Sequence, residues 1–202
     1  PSDEGIARAA ERLQRGELVA FPTETVYGLG ADARDEAAVR RVFEVKGRPL
    51  TDPLIVHVPT LEDALGLVRL EGDARAAFVQ LGRRFWPGAL TLIGRAAPAL
   101  PACVTAQTGF VGVRCPSHPL AQRLLRESKV PVAAPSANRF GHVSPTSARH
   151  VLHDLGDADI GVLNGEGEGS LPSTCSLGIE STVCKVDCER RQLLLFRRGA
   201  VS

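Results

Sequence analysis

The stretch FPTETVYGLGADARDEAAVRRVFEVKGRPLTDPLIVHV, residues 21–58, sets hydroxyls, glycines and a Lys-x-Arg pair between two apolar runs. Residues 18–21, LVAF, read as a short buried strand. Pro22 stops it, because proline has no ladder donor and pushes the preceding residue to extended geometry. Thr23 and Thr25 therefore stand at a strand mouth. Gly28-Leu29-Gly30 is read as a place for positive φ and close backbone approach to a ligand. Asp35 is the expected cap of a helix with apolar residues at Ala38, Val39, Val42 and Phe43, ending near Lys46-Gly47-Arg48-Pro49. Residues 54–58 then read as a second buried strand that carries His57. Lys46 and Arg48 can be ordinary partners of acidic neighbours or cations facing an anionic ligand. Their company favours the ligand.

At 202 residues the chain fits one domain able to bury roughly 70% of its unfolded surface. A hydrophobic fraction of 44%, a charged fraction of 23% and 20 Gly with 14 Pro describe a globule with many turns. The net charge of +1 gives no global reason to expect nucleic-acid or membrane binding. No apolar run reaches the ~20 residues of a membrane span, and the first sixteen residues pattern as an amphipathic helix, so a cytoplasmic protein is expected. The five cysteines, Cys103, Cys115, Cys175, Cys184 and Cys188, form no CxxC pair and read as reduced thiols.

Farther along, Thr60 and Asp73 mark helix starts that would cover the sheet, and Trp86 reads as core ahead of a strand at 89–93. Residues 110–115, FVGVRC, alternate as a strand and deliver Arg114 to its end, where an arginine needs a partner. Ser117 and Pro119 predict a helix, and residues 130–134 a buried strand that leaves the sheet at Pro135-Ser136-Ala137-Asn138. Ser136 and Asn138 at a strand end suit a site or a turn. Ser144-Pro145-Thr146 predicts an N-cap with proline in the first turn, a helix start fitted to a phosphate. Strands follow at 158–163, 179–186 and 193–196, and residues 164–178, rich in Gly and Ser, read as a lid-like loop. Strands separated by helices predict a three-layer α/β domain with a mixed parallel and antiparallel sheet.

The motifs FPTETVYGLG at 21–30, KGRP at 46–49, PLIVHV at 53–58, FWPGALTL at 85–92, VGVRCP at 111–116, APSAN at 134–138, SPT at 144–146, ESTV at 180–183 and RRGAV at 197–201 occur in that order. In them the chain resembles, nearly end to end, the YrdC/TsaC family of threonylcarbamoyl-AMP synthases. The resemblance implies an open, twisted, mixed sheet. It also implies formation of threonylcarbamoyl-AMP and pyrophosphate from L-threonine, bicarbonate and ATP, with Mg2+ accompanying ATP and no structural metal, for modification of the adenosine beside the tRNA anticodon. Partner proteins of tRNA modification, or tRNA itself, would receive the product.

By the same resemblance Lys46 and Arg48 are catalytic cations. Lys46, Arg48, Asp52, Ser136, Asn138, Ser144 and Arg197 bind ATP, and Thr25, His57, Arg114 and Ser181 hold threonine, with Arg114 on its carboxylate. The chemistry agrees: attack of a carbamate oxygen on the α-phosphorus concentrates anionic charge, so fixed cations and positioning supply catalysis without a protein nucleophile. Asp52 stands where relatives often carry Asn, which gives it either a ribose or a Mg2+ role. The loop at 165–175 departs from the family's glycine-rich pattern. The chain looks like the short, single-domain form. Two other readings stand beside this one: the carbamoyl-adenylate-forming domain of hydrogenase-maturation proteins, and a tRNA or double-stranded RNA binding module whose basic groove uses Lys46, Arg48 and Arg197.

Overall fold

A computed structural model describes residues 2–165, 175–187 and 190–201. Helix α1 (Asp3–Gln14) is capped by Ser2, whose hydroxyl accepts from the Gly5 amide, and turns Ile6, Ala9, Ala10 and Leu13 inward. Strand β1 (Leu18–Phe21) pairs antiparallel with β2 (Gly28–Asp32), and the residues between them carry Thr23 and Thr25 around the strand end. The carboxylate of Asp35 accepts from the Ala37 and Ala38 amides and starts α2 (Glu36–Lys46), satisfying amides that have no partner within the helix. This helix stops at Gly47, whose φ of 64° is the left-handed conformation glycine adopts without a Cβ clash.

The order continues through β3 (Ile55–His57), α3 (Leu61–Leu65), β4 (Val68–Arg69), α4 (Gly72–Phe85), β5 (Leu90–Ala96), β6 (Phe110–Arg114), α5 (Pro119–Ser128), β7 (Val132–Ala133), α6 (Ala148–Leu155), β8 (Ile160–Val162), β9 (Thr182–Asp187) and β10 (Gln192–Arg197). The sheet runs β10-β9-β5-β6-β3-β7-β2-β1-β8, with β4 attached to β5. Pairs β1–β8, β3–β6 and β5–β9 are parallel and the rest antiparallel, so the sheet is mixed as expected. Side-chain alternation divides it between two cores. Leu18 and Ala20 of β1 face a core shared with Val39 and Val42 of α2 and Val151 of α6. Val19 and Phe21 face a second core with Leu13 of α1 and Leu120 and Leu124 of α5. Helices on both faces make the three layers, and each fully buried leucine contributes roughly 1.5–3 kcal/mol. Among the described residues, no helix is long and apolar enough to cross a membrane.

Four local expectations are corrected. Gly28 and Gly30 lie in β2 without left-handed geometry, and a Cβ on Gly30 would come within 2.7 Å of Val132 and 2.9 Å of Phe21, so packing requires that glycine. The cap of α5 is His118, whose Nδ1 accepts from the Leu120 amide, rather than Ser117. Helix α4 starts at Gly72 behind Glu71, which makes no side-chain cap, rather than at an Asp73 cap. No helix starts at Ser144: the Pro145 carbonyl is taken by the Tyr27 amide, and α6 begins at Ala148 under Ser147, whose hydroxyl accepts from the His150 amide. That removes the phosphate-binding helix start expected at residues 144–146. Most of the expected lid loop, residues 166–174, lies outside the described residues, as does Cys188.

Candidate active site

Strands β3 and β6 run parallel with His57 opposite Arg114, so two residues distant in sequence stand side by side at the C-terminal ends of two central strands. Around them opens a cleft of about 250 Å³. Its walls include Thr23, Thr25, Arg48, Asp52, His57, Arg114, Ser136, Glu180, Ser181, Phe196 and Arg197. Eight of the expected site residues are thus brought together. Lys46, Asn138 and Ser144 do not line the cleft but stand directly behind its wall.

The inner end is a chain of hydroxyls closed by Arg114. The Thr23 hydroxyl donates to the Val26 carbonyl at 2.6 Å, and Thr23 Oγ1 lies 2.8 Å from Thr25 Oγ1. A hydroxyl has one proton, so Thr25 donates to Thr23 and itself accepts from Arg114 Nη1 at 2.9 Å. Arg114 Nε donates to the Gly88 carbonyl at 3.3 Å, and Nη2 lies 2.7 Å from Glu24 Oε1 in an ion pair whose side chains are 4% and 7% exposed. The alignment of that pair is off the hydrogen-bond direction, so both Glu24 oxygens accept no hydrogen bond among the described residues. The fork of Arg114 thus has a carboxylate partner in Glu24, which answers the need for a partner that its place at the strand end raised, and Arg114 also lines the cleft. His57 is buried edge-on to Phe21, with ring centroids 6.2 Å apart. Burial first, and then the nearby Arg114 charge, push its pKa down to about 3, so the ring is neutral at ordinary pH.

Serine and carboxylate groups link this end to the mouth. Ser181 Oγ lies 2.8 Å from Thr91 Oγ1 and accepts from Arg197 Nη2 at 3.0 Å, while Arg197 Nε donates to the Ser181 carbonyl at 3.0 Å. Glu180 accepts from Ser144 at 2.8 Å and pairs with Arg197 at 3.4 Å, so Ser144 acts through Glu180. Gly199 permits this arrangement, because a Cβ there would fall within 2.4 Å of the Glu180 carbonyl oxygen; the 199–201 segment hydrogen-bonds to Glu180 and Thr182 and holds Arg197 in place.

Arg48 is folded onto its own loop. It pairs with Asp52 at 2.9 Å and donates to the Asp52 and Pro53 carbonyls at 3.2 and 3.0 Å. Burial lowers its pKa from the usual guanidinium value. The Lys46 ammonium is buried and donates to the Ser136 carbonyl at 2.6 Å and to the Asn138 carbonyl, and burial, then Arg48, lower its pKa to about 8. It fastens α2 to the turn that carries Ser136. Asn138 Nδ2 donates to the Arg139 and His142 carbonyls, both at 2.8 Å, and closes that turn, while its buried Oδ1 accepts nothing among the described residues.

Sequence reasoning missed Glu24, Glu180 and Thr91. The signal for Glu24 was present, because a buried arginine at the end of an apolar strand calls for a carboxylate and PTET supplies one. Among the described residues no group of three or more His, Cys, Asp or Glu is placed to hold a metal ion, and Cys103, Cys115, Cys175 and Cys184 are buried free thiols. Burial raises all four, Cys175 to about 11, so none is a ready thiolate.

The Sua5/YciO/YrdC family model, described as "Telomere recombination", matches residues 11–199. Threonylcarbamoyl-AMP synthase of Bacillus subtilis is 46% identical over 202 residues, all of this chain and 55% of that protein. The synthase of Pyrococcus abyssi is 43% identical over 97% of this chain and 54% of that protein. The chain thus spans about half the length of these curated relatives. The structure of P. abyssi Sua5 complexed with L-threonine matches with a TM-score of 0.84 at 42% identity, covering 96% of this chain and 54% of that one. Escherichia coli YciO, at 20% identity and a TM-score of 0.79 over 99% of this chain and 91% of that one, shows the same fold. With the family model covering 189 of its residues, 11–199, and a relative 46% identical along its whole length, the chain belongs to the Sua5/YciO/YrdC family.

Proposed function

We propose that this chain is the catalytic domain of an L-threonylcarbamoyladenylate synthase, a nucleotidyltransferase that joins L-threonine, bicarbonate and ATP. The observation that carries the reading is a single cleft with two chemically different ends. A small pocket of hydroxyls, neutral His57 and Arg114 adjoins a mouth lined by Arg48, Ser136 and Arg197. The structure of P. abyssi Sua5 complexed with L-threonine supports the first end.

In this reading Arg114, Thr25, Ser181 and His57 hold threonine, with Arg114 on its carboxylate. The amine condenses with bicarbonate to a carbamate, and water leaves. A carbamate oxygen then attacks the α-phosphorus, the bond to the bridging oxygen of the β-phosphate breaks, and pyrophosphate departs with the electron pair. Arg48 and Arg197 meet the charge that grows on the phosphates, and Ser136 orients them. Lys46 and Asn138 hold the Ser136 turn and add a cation behind it, while Ser144 acts through Glu180. Mg2+ held by the ATP phosphates would supply further neutralisation of their charge. Asp52 and Glu180 are the carboxylates lining the cleft, and each is committed to an arginine, so they fit an auxiliary place beside a phosphate-held ion rather than a protein cage. The product would pass, in the cytoplasm, to the machinery that modifies the adenosine beside the tRNA anticodon.

The test is incubation of the purified chain with ATP, threonine and bicarbonate, each omitted in turn. Pyrophosphate that needs all three is expected. A requirement for carbamoyl phosphate would move the assignment to hydrogenase-maturation chemistry, and salt-sensitive duplex-RNA binding without pyrophosphate would make the chain a binding module.

A further inference from the structure

We propose that Thr91 is a positioning residue: by giving its proton to Ser181 it fixes the Ser181 hydroxyl as a donor into the cleft, toward an oxygen of the amino-acid substrate. The inference deepens the synthase reading, on which it rests for what fills the inner end of the cleft. Thr91 stands in β5 between Leu90 and Leu92, with β6 on one side of the strand and β9 on the other. It is fully buried and does not line the cleft. Valine has the same shape and would enter such a place without taking a hydroxyl out of water. The threonine is therefore explained by what its hydroxyl does, and among the described residues that hydroxyl has one partner, Ser181 Oγ at 2.8 Å.

The number of protons sets the direction of that bond, because each hydroxyl has one proton and two lone pairs. Ser181 Oγ already accepts from Arg197 Nη2 at 3.0 Å, which uses one lone pair. If Ser181 gave its proton to Thr91, the Thr91 proton would be left in the core without an acceptor, at the full penalty of a buried donor left unmade. With Thr91 as the donor every group is satisfied. Thr91 fills the second lone pair of Ser181, and the Ser181 proton is left for the cleft that Ser181 lines. Gly112 of β6 holds the geometry: a Cβ there would come within 3.0 Å of the Thr91 methyl, so the methyl occupies the space over a glycine and the stiff χ1 of a β-branched residue keeps the hydroxyl on Ser181. Thr25 receives the opposite polarity from its own buried neighbour. Its proton goes to Thr23 and one lone pair goes to Arg114, so toward a ligand it can only accept. One cleft is thus faced by a hydroxyl that only donates and a hydroxyl that only accepts, which suits an amino acid, a ligand carrying N–H donors and oxygen acceptors together.

The experiment measures threonine affinity by calorimetry and pyrophosphate release for the whole chain and for Thr91→Val, Thr91→Ser, Ser181→Ala and the double variant Thr91→Val with Ser181→Ala, each first shown to be folded by its thermal unfolding. Thr91→Val keeps the shape and loses the proton, whereas Thr91→Ser keeps the proton and loses the methyl. Thr91→Val should weaken threonine roughly threefold to tenfold, the size of one neutral hydrogen bond, and Thr91→Ser should stay within about twofold of the parent. At saturating threonine the turnover of Thr91→Val should remain near that of the parent, since the contact is made before and during the reaction alike. In the Ser181→Ala background Thr91→Val should weaken threonine no further, because Thr91 acts only through Ser181. An equal loss in Thr91→Ser would make Thr91 a packing residue, and an additive loss in the double variant, unchanged affinity in Thr91→Val or a parent chain that binds no threonine would each overturn the assignment. The two readings fail separately. Pyrophosphate formed with threonine at an affinity indifferent to Thr91 removes the positioning role and keeps the synthase; threonine binding that depends on Thr91 through Ser181, without any pyrophosphate, does the reverse.

Discussion

Changing Glu24 to Gln keeps the size and shape of the side chain and withdraws the carboxylate charge paired with Arg114. Both side chains are buried, at 7% and 4% exposure, and the nitrogen–oxygen distance is 2.7 Å. Breaking such a pair from one side costs about 3–5 kcal/mol, because the remaining charge stays out of water without compensation. Arg114 keeps its bonds to Thr25 Oγ1 and the Gly88 carbonyl, and the Gln oxygen can still accept, so the lower end of that range is expected. Urea unfolding measures it: a loss of about 3 kcal/mol at a slope of about 1–3 kcal/mol per molar moves the midpoint by roughly 1–3 M, with the slope unchanged. Glu24→Gln combined with Arg114→Met should recover part of the loss, since no charge is then stranded. A loss below about 1 kcal/mol, the size typical of an exposed pair, would refute the reasoning.

Arg114→Ala should weaken threonine by a charge-assisted contact of about 1.5–3 kcal/mol, on the order of tenfold to a hundredfold, and leave ATP binding without threonine little changed. Lys46→Ala should lower turnover more than threonine affinity; calorimetry and pyrophosphate release on folded variants would contradict both assignments if the two defects were exchanged. His57, held near a pKa of about 3 against the usual imidazole value of 6.5, makes the native state resist a proton that the unfolded chain accepts. Stability should therefore fall as pH drops from 6.5 toward 3, more steeply than in His57→Gln, and equal slopes in urea titrations across that window would contradict the burial argument. Asp52→Asn removes a half-exposed partner of Arg48, so stability should change by no more than about 1 kcal/mol while ATP affinity rises. Weaker ATP binding would instead place the Asp52 carboxylate on the ribose or on Mg2+.

The elements that position the cleft were legible where local chemistry decides them. Pro22 ends β1, Asp35 caps α2 and Gly47 stops it, and each acts within a few residues of itself. Ser144 shows where local reasoning fails: Ser-Pro-Thr has the pattern of a helix start, but a long-range bond from the Tyr27 amide claims the Pro145 carbonyl. Gly30 was read as a place for positive φ because Val132 and Phe21, which demand its small size, come from β7 and β1, while Gly28 does line the cleft. Motif resemblance alone grouped Arg48, Ser136, Ser181 and Arg197, whose segments are far apart in the chain and which line one cleft. The parallel register that sets His57 beside Arg114 and the Glu24 counter-charge depend on strand pairing, which no single segment encodes.

The most direct measurement follows the carbon. Incubated with ATP, threonine and carbon-13 bicarbonate, the chain should yield an adenylate whose mass contains threonine, one labelled carbonyl carbon and AMP, with one pyrophosphate released for each. An adenylate without the label, or pyrophosphate released without threonine, would contradict the account that one cleft joins the carbamate of threonine to the α-phosphate of ATP.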